Sequence, residues 1–111
     1  MKLVHSTDIA AEDAEEGASG LRVRWLITKE MGAANFAMRL FEMAVDGHSP
    51  YHSHPWEHEV FILEGDGLVV SEDHERPFIA GDAIFIPPHE KHQFKNTGNV
   101  VVKFLCLVPI H

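Results

Sequence analysis

From Leu21 onward the chain is a series of short apolar runs closed by turn residues at intervals of about 8 to 12 positions, and that rhythm limits the fold more than any motif does. LRVRWLIT sets Leu21, Val23, Trp25 and Ile27 against Arg22 and Arg24, the period of two that sends successive side chains to opposite faces of a strand. NFAMRLFEMAV fits a strand or a helix by period, and the flanking MGAAN and DGHSP favour a strand. HEVFILE and LVVSE read as two strands joined by a tight glycine turn at GDG. DHER and Gly81 mark further turns, AIFIP is a buried-looking strand stopped by Pro87 and Pro88, and NVVVKFLCLVPI is a long β-branched strand after the turn NTGN. No stretch reads as a firm helix, so an all-β sandwich or barrel is expected. The first twenty residues are polar and acidic and end in EEGASG. They predict an arm, 1–20, with at most a short helical turn, ahead of a barrel domain, 21–111.

With 111 residues the chain has room for one core, and no repeat or linker suggests a second. A formal net charge of −8 with scattered Lys and Arg argues against a nucleic-acid partner or an anionic membrane surface. Cys106 is the single cysteine, so no internal disulfide can form. No apolar run approaches the roughly 18 to 20 residues of a membrane span, and the start lacks the apolar core of a signal peptide. The expected address is cytoplasmic.

Nine histidines stand out in so short a chain. His5, His74 and His111 lie near the termini or in a charged turn and read as surface. Residues 52–59, HSHPWEHE, concentrate three histidines and two glutamates. If His52 and His54 share a strand, both imidazoles leave one face and can share a metal ion. Pro55 ends that strand, and His58 at the start of the next can face them. An isolated H-x-H is more often plain surface. A fourth histidine, His92, after GDAIFIPPHEKH shifts the balance toward a site.

Together the two stretches resemble the paired motifs of the cupin superfamily. Gly81, Pro87, His92 and Asn96 fall at the spacings of its second motif, with His89 where the family has glycine; histidine tolerates the left-handed backbone that position tends to need. His52, His54 and Gly65 match the first motif, and Gly47 lies one residue closer to His52 than the pattern asks. The family's glutamate position falls on His58 in the register that keeps both motif spacings, and on Glu59 in the other. The chain is similar in this region to small manganese-binding cupins with four histidines. That resemblance implies His52, His54, His58 and His92 as ligands, with Glu57 and Glu59 pointing outward or holding ring N–H groups.

The resemblance implies a single-domain cupin jelly roll, a double-stranded β-helix holding the metal within the barrel. Four neutral imidazoles leave the full 2+ charge on an ion, and an octahedral metal keeps two open positions, suited to a bidentate oxygen ligand, dioxygen or a peroxide. Mn or Fe is expected, with Ni, Cu or Zn as other occupants, since imidazole discriminates poorly. Phe94, Phe104 and Cys106 are expected to line the cavity by strand parity, and Arg39 either reaches it or snorkels to solvent. Apolar groups on both faces of HEVFILE predict a homodimer. The expected function is that of a Mn- or Fe-dependent, oxygenase-like oxidoreductase on a small molecule. The alternatives are a binding or sensor module with a metal-anchored ligand and, less favoured, a sugar isomerase or epimerase.

Overall fold

In a computed structural model the chain is described from Met1 to Ile110; His111 and its expected surface position lie outside the described residues. The acidic arm is more ordered than its composition suggests. After a 3-10 turn at Ser6–Asp8 it forms β1 (Glu12–Asp13), which pairs antiparallel with β2 (Ser19–Ile27). Arg22 donates to the Ala11 carbonyl at 2.8 Å, and Arg24 reaches the Ile9 carbonyl, so two β2 cations tie the arm down.

The expected strands are present, joined by two that the sequence did not announce, at Glu75–Ile79 and Gln93–Asn96. A second 3-10 turn, Lys29–Met31, leads into β3 (Phe36–His48), followed by β4 (His58–Glu64), β5 (Asp66–Val70), β6 (Glu75–Ile79), β7 (Ala83–Ile86), β8 (Gln93–Asn96) and β9 (Val102–Pro109). They form one strongly curled antiparallel sheet in the order β6-β5-β8-β3-β9-β4-β7, with β2 added alongside β3. The fold is a single all-β barrel, the architecture expected from the sequence.

One pairing differs from expectation. β4 and β5 flank a glycine turn, yet β4 pairs with β7 and β9, while β5 pairs with β6 and β8. Gly65, at φ 85°, swings the chain from one side of the barrel to the other rather than reversing it into a hairpin. A Cβ there would sit 2.9 Å from the Val101 carbonyl oxygen.

Parity places Leu21, Met43, Val60, Ile62, Ile86, Val102, Phe104 and Cys106 inside, where Phe78 and Phe94 complete the core. Asn96 is buried with them, donating from its side-chain amide to the carbonyls of Met43, Ala44 and Val100 and accepting from Gly98 N–H. It fastens the end of β8 to β3. On the outer face Phe61 and Phe85 remain about half exposed, at 45% and 55%. Among the described residues no helix is long and apolar enough to cross a membrane.

Candidate metal centre

The segment after β3 is kept out of a ladder by Pro50 and Pro55, which carry no N–H. A single bridge anchors it: His52 N–H donates to the His92 carbonyl at 3.2 Å, and His92 N–H returns to the His52 carbonyl at 2.9 Å. His89 N–H donates to the His54 carbonyl at 2.8 Å, from a residue held at φ 71°, the left-handed backbone anticipated at that motif position. His52 and His54 therefore sit on an extended loop rather than a shared strand, which corrects the expectation. The loop brings both rings to the same place all the same, because the turn carrying His89 and His92 supplies the hydrogen bonds a neighbouring strand would have given.

The ligating atoms of His52, His54 and His92 all lie within 4.8 Å of one another. His58, the first residue of β4 and buried, turns inward with Val60 and Ile62, and its Nε2 faces His54 Nε2 at 2.7 Å. Its ring centroid lies 4.4 Å from that of His54 and 5.6 Å from that of His92. Glu59 points to the exposed outer face of β4, and Glu57 is exposed as well.

Backbone carbonyls set the tautomers. A carbonyl can only accept, so the Trp56 carbonyl, 2.9 Å from His54 Nδ1, and the Glu90 carbonyl, 2.8 Å from His92 Nδ1, keep the proton on Nδ1 and leave Nε2 with a free lone pair. Those carbonyls fill the role expected of Glu57 and Glu59, since a carbonyl two residues away along the chain lies nearer than side chains directed outward. At His58 the neighbours of Nδ1 are Arg39 Nη2 and Cys106 Sγ, each at 3.4 Å. Arginine only donates, so a His58 tautomer with its proton on Nδ1 has the Cys106 sulfur as acceptor. The other tautomer accepts from Arg39 Nη2 at Nδ1 and donates from Nε2–H to His54 Nε2 at 2.7 Å, and a cation between the two rings would take the place of that proton. The donor set thus fits a divalent ion bound by neutral imidazoles.

Burial holds these rings in the form an ion requires. It lowers the affinity of His54 and His92 for a proton. Burial, joined by the Arg39 charge, pushes His58 down to about 3. The Cys106 thiol is pushed up by burial, against the opposing pull of Arg39.

Phe94, Phe104, Cys106 and Arg39 line the histidine pocket, as parity indicated, and Arg39 reaches inward rather than snorkelling. The pocket itself is small, about 40 Å³. It shares Glu15, Arg39 and Phe41 as lining with an adjacent groove of about 630 Å³ whose walls include Val23, Trp25, Ala37, Trp56 and Val108. Trp56 also stacks on His54, with centroids 4.6 Å apart and planes 5° from parallel. The sequence reading missed this groove: Trp25 was legible as a strand residue, but nothing local tells that its face looks onto open space. Glu15 went unnoticed because its place depends on the arm folding back.

Residues 39–108 match the family Cupin_2, described as a cupin domain. The chain is similar to an uncharacterized protein of Methanocaldococcus jannaschii, 41% identical over 56 residues, a match spanning 50% of this chain and 45% of that protein. It is also similar to the oxalate-binding protein of Thermotoga maritima, 29% identical over 113 residues, covering 96% of this chain and 92% of that one. Among solved structures, the polyketide cyclase RemF from Streptomyces resistomycificus superposes with a TM-score of 0.94 at 38% identity, over 100% of this chain and 80% of that chain.

Proposed function

The chain belongs to the cupin family, and on that premise we propose that it is a metal-dependent cyclase for an aromatic, carbonyl-rich substrate, with His52, His54, His58 and His92 holding one divalent ion. The observation that carries this reading is the adjacency of two cavities: a groove of about 630 Å³ walled in part by Trp25 and Trp56 shares Glu15, Arg39 and Phe41 as lining with the histidine pocket. Likeness to a polyketide cyclase over the whole chain supports it.

When bound, the ion supplies a Lewis-acid charge, undiminished by any carboxylate ligand, toward a substrate carbonyl oxygen. The protein's own groups do the rest. Trp25, with Val23, Ala37 and Val108, gives the groove an apolar wall that holds a planar substrate and keeps water from it. The narrowness of the inner pocket admits a carbonyl end while the ring system stays in the groove. Glu15 is the acid that lines both cavities, and its carboxylate oxygen is placed to take the α-proton as a new carbon–carbon bond forms between that carbon and a second carbonyl carbon. Loss of water from the resulting β-hydroxy ketone completes an aromatic ring.

Mn, Fe or Zn would each serve, since imidazole does not choose among them. The oxygenase-like reading has no such support from the groove, and a thiol, Cys106, lines the same histidine pocket, where an oxidant would threaten it. A metal-anchored binding module is favoured by a different observation, the 40 Å³ pocket and the likeness to an oxalate-binding protein.

The test is to incubate metal-loaded and metal-stripped protein with a synthetic aryl 1,3,5-triketone and follow the product by mass and oxygen uptake. Cyclisation predicts loss of one water, without oxygen consumption, in the loaded protein alone. Oxygen incorporation would replace the proposal with the oxidoreductase. Inert loaded protein that binds oxalate tightly would replace it with the binding module.

A further inference from the structure

Arg39 stands where the groove meets the histidine pocket and lines both. It projects from the inner face of β3, opposite Cys106 in the ladder with β9. Its Cζ lies 5.3 Å from the centroid of Trp25 and 5.0 Å from that of Phe41, so aromatic faces hold the guanidinium in place. Nη2 donates to Cys106 Sγ at 3.0 Å, and Nε is buried with no hydrogen-bond partner.

Among the described residues this cation forms no ion pair; the pairs present are Arg24–Glu42 and Lys103–Glu64. Glu15 and Glu30, the acids bordering the same groove, are exposed and outside ion-pair distance. A partly buried guanidinium without a counter-charge is costly to keep, and a thioether or leucine would fill the same space without that cost. The cost disappears if a ligand brings the anion, because carboxylate or phenolate oxygens meet a planar guanidinium with short, charge-assisted hydrogen bonds.

We propose that Arg39 is an anion-binding residue for the ligand of the groove, taking a carboxylate or phenolate oxygen carried on a flat aromatic ring that lies in the groove beside Trp25, Ala37 and Val108. This rests on the cyclase reading and sharpens it by naming the substrate class. The ligand carries an oxygen anion beside the carbonyl directed at the histidines, since Arg39 Nη2 is only 3.4 Å from His58 Nδ1. The alignment is then set by two fixed points, the guanidinium and the histidine cluster.

The experiment compares 2-naphthoate with its neutral counterpart 2-naphthamide on the full chain, metal-stripped and zinc-loaded, by calorimetry and by quenching of the groove tryptophans. Metal-stripped protein is expected to bind the carboxylate at least about tenfold more tightly than the amide, the least a charge-assisted pair should give. Arg39→Gln should erase that preference, and Arg39→Lys should retain part of it. Equal binding of the two probes by the unaltered protein overturns the proposal and needs no variant, so a poorly folding Arg39→Gln leaves the test intact. A preference seen only with zinc also overturns it, because the anion then sits on the metal. Turnover is read separately: a carboxylate preference in metal-stripped protein that never cyclises a triketone sustains the Arg39 site and removes the cyclase reading.

Discussion

Replacing Asn96 by Ala should be among the most damaging single changes in the barrel, although the residue touches neither the histidines nor the groove. Its side-chain amide, 3% exposed, serves the carbonyls of Met43, Ala44 and Val100 at 2.9 to 3.1 Å, and its carbonyl oxygen receives Gly98 N–H at 3.0 Å. Three N–H groups are thus involved, two of its own and one of the backbone, each worth about 1 kcal/mol net in a buried setting. Unsatisfied buried carbonyls add to the loss, so about 3 to 4 kcal/mol is expected. With a melting entropy of about 2.1 cal/mol/K per residue, 111 residues give roughly 230 cal/mol/K, and 3 kcal/mol corresponds to a fall of about 13 °C. Because Asn96 closes the strand that begins just after His92, metal affinity should fall as well. Thermal unfolding of metal-free protein by circular dichroism measures the first effect. A fall below about 4 °C would refute the view that this amide fastens β8 to β3.

Metal-free protein should lose stability as pH falls. His58 stays neutral in the fold down to about 3, whereas an unfolded imidazole titrates near 6.5, so between those values the unfolded chain binds more protons. The contribution is complete above about 6.5 and shrinks by roughly 1 to 2 kcal/mol by pH ~4.5 after allowing for solvent screening. Urea midpoints across that range measure it, and His58→Gln should flatten the slope; an equally steep variant contradicts the assignment. Glu15→Gln should cut cyclisation of the triketone by about 100-fold, the low end of general-base effects, while leaving bound zinc unchanged; full activity would remove Glu15 from the chemistry. The chain should sediment as a dimer through the face bearing Phe61 and Phe85, with Phe61→Glu shifting it toward the 12.5 kDa monomer; a monomeric parent protein would contradict this.

Most strands were legible because the period of two in segments such as LRVRWLIT, punctuated by glycine and proline, is a local property. Their partners were not. The turn at Gly65 signals a change of direction, but only the packed barrel decides that β4 finds β7 and β9 rather than β5. The four histidines were singled out by the resemblance of their surroundings to the cupin motifs, and the structure brings their rings together. The alternation in HSH suggested a strand, yet the prolines on either side leave one bridge to His92 as its anchor. The carbonyls of Trp56 and Glu90 that fix the tautomers have no sequence signal, since every residue carries a carbonyl. Arg39 announced itself as a charge within an apolar strand, but that it forms no ion pair among the described residues is a property of three dimensions.

The central claim, one divalent ion held by four imidazoles, is tested most directly by the X-ray absorption fine structure of zinc-loaded protein. Four imidazole nitrogens at about 2.0 to 2.2 Å are predicted, falling to three in His58→Ala and remaining four in Glu59→Gln. A shell of three imidazoles and one carboxylate oxygen, lost in Glu59→Gln and unchanged in His58→Ala, would contradict it.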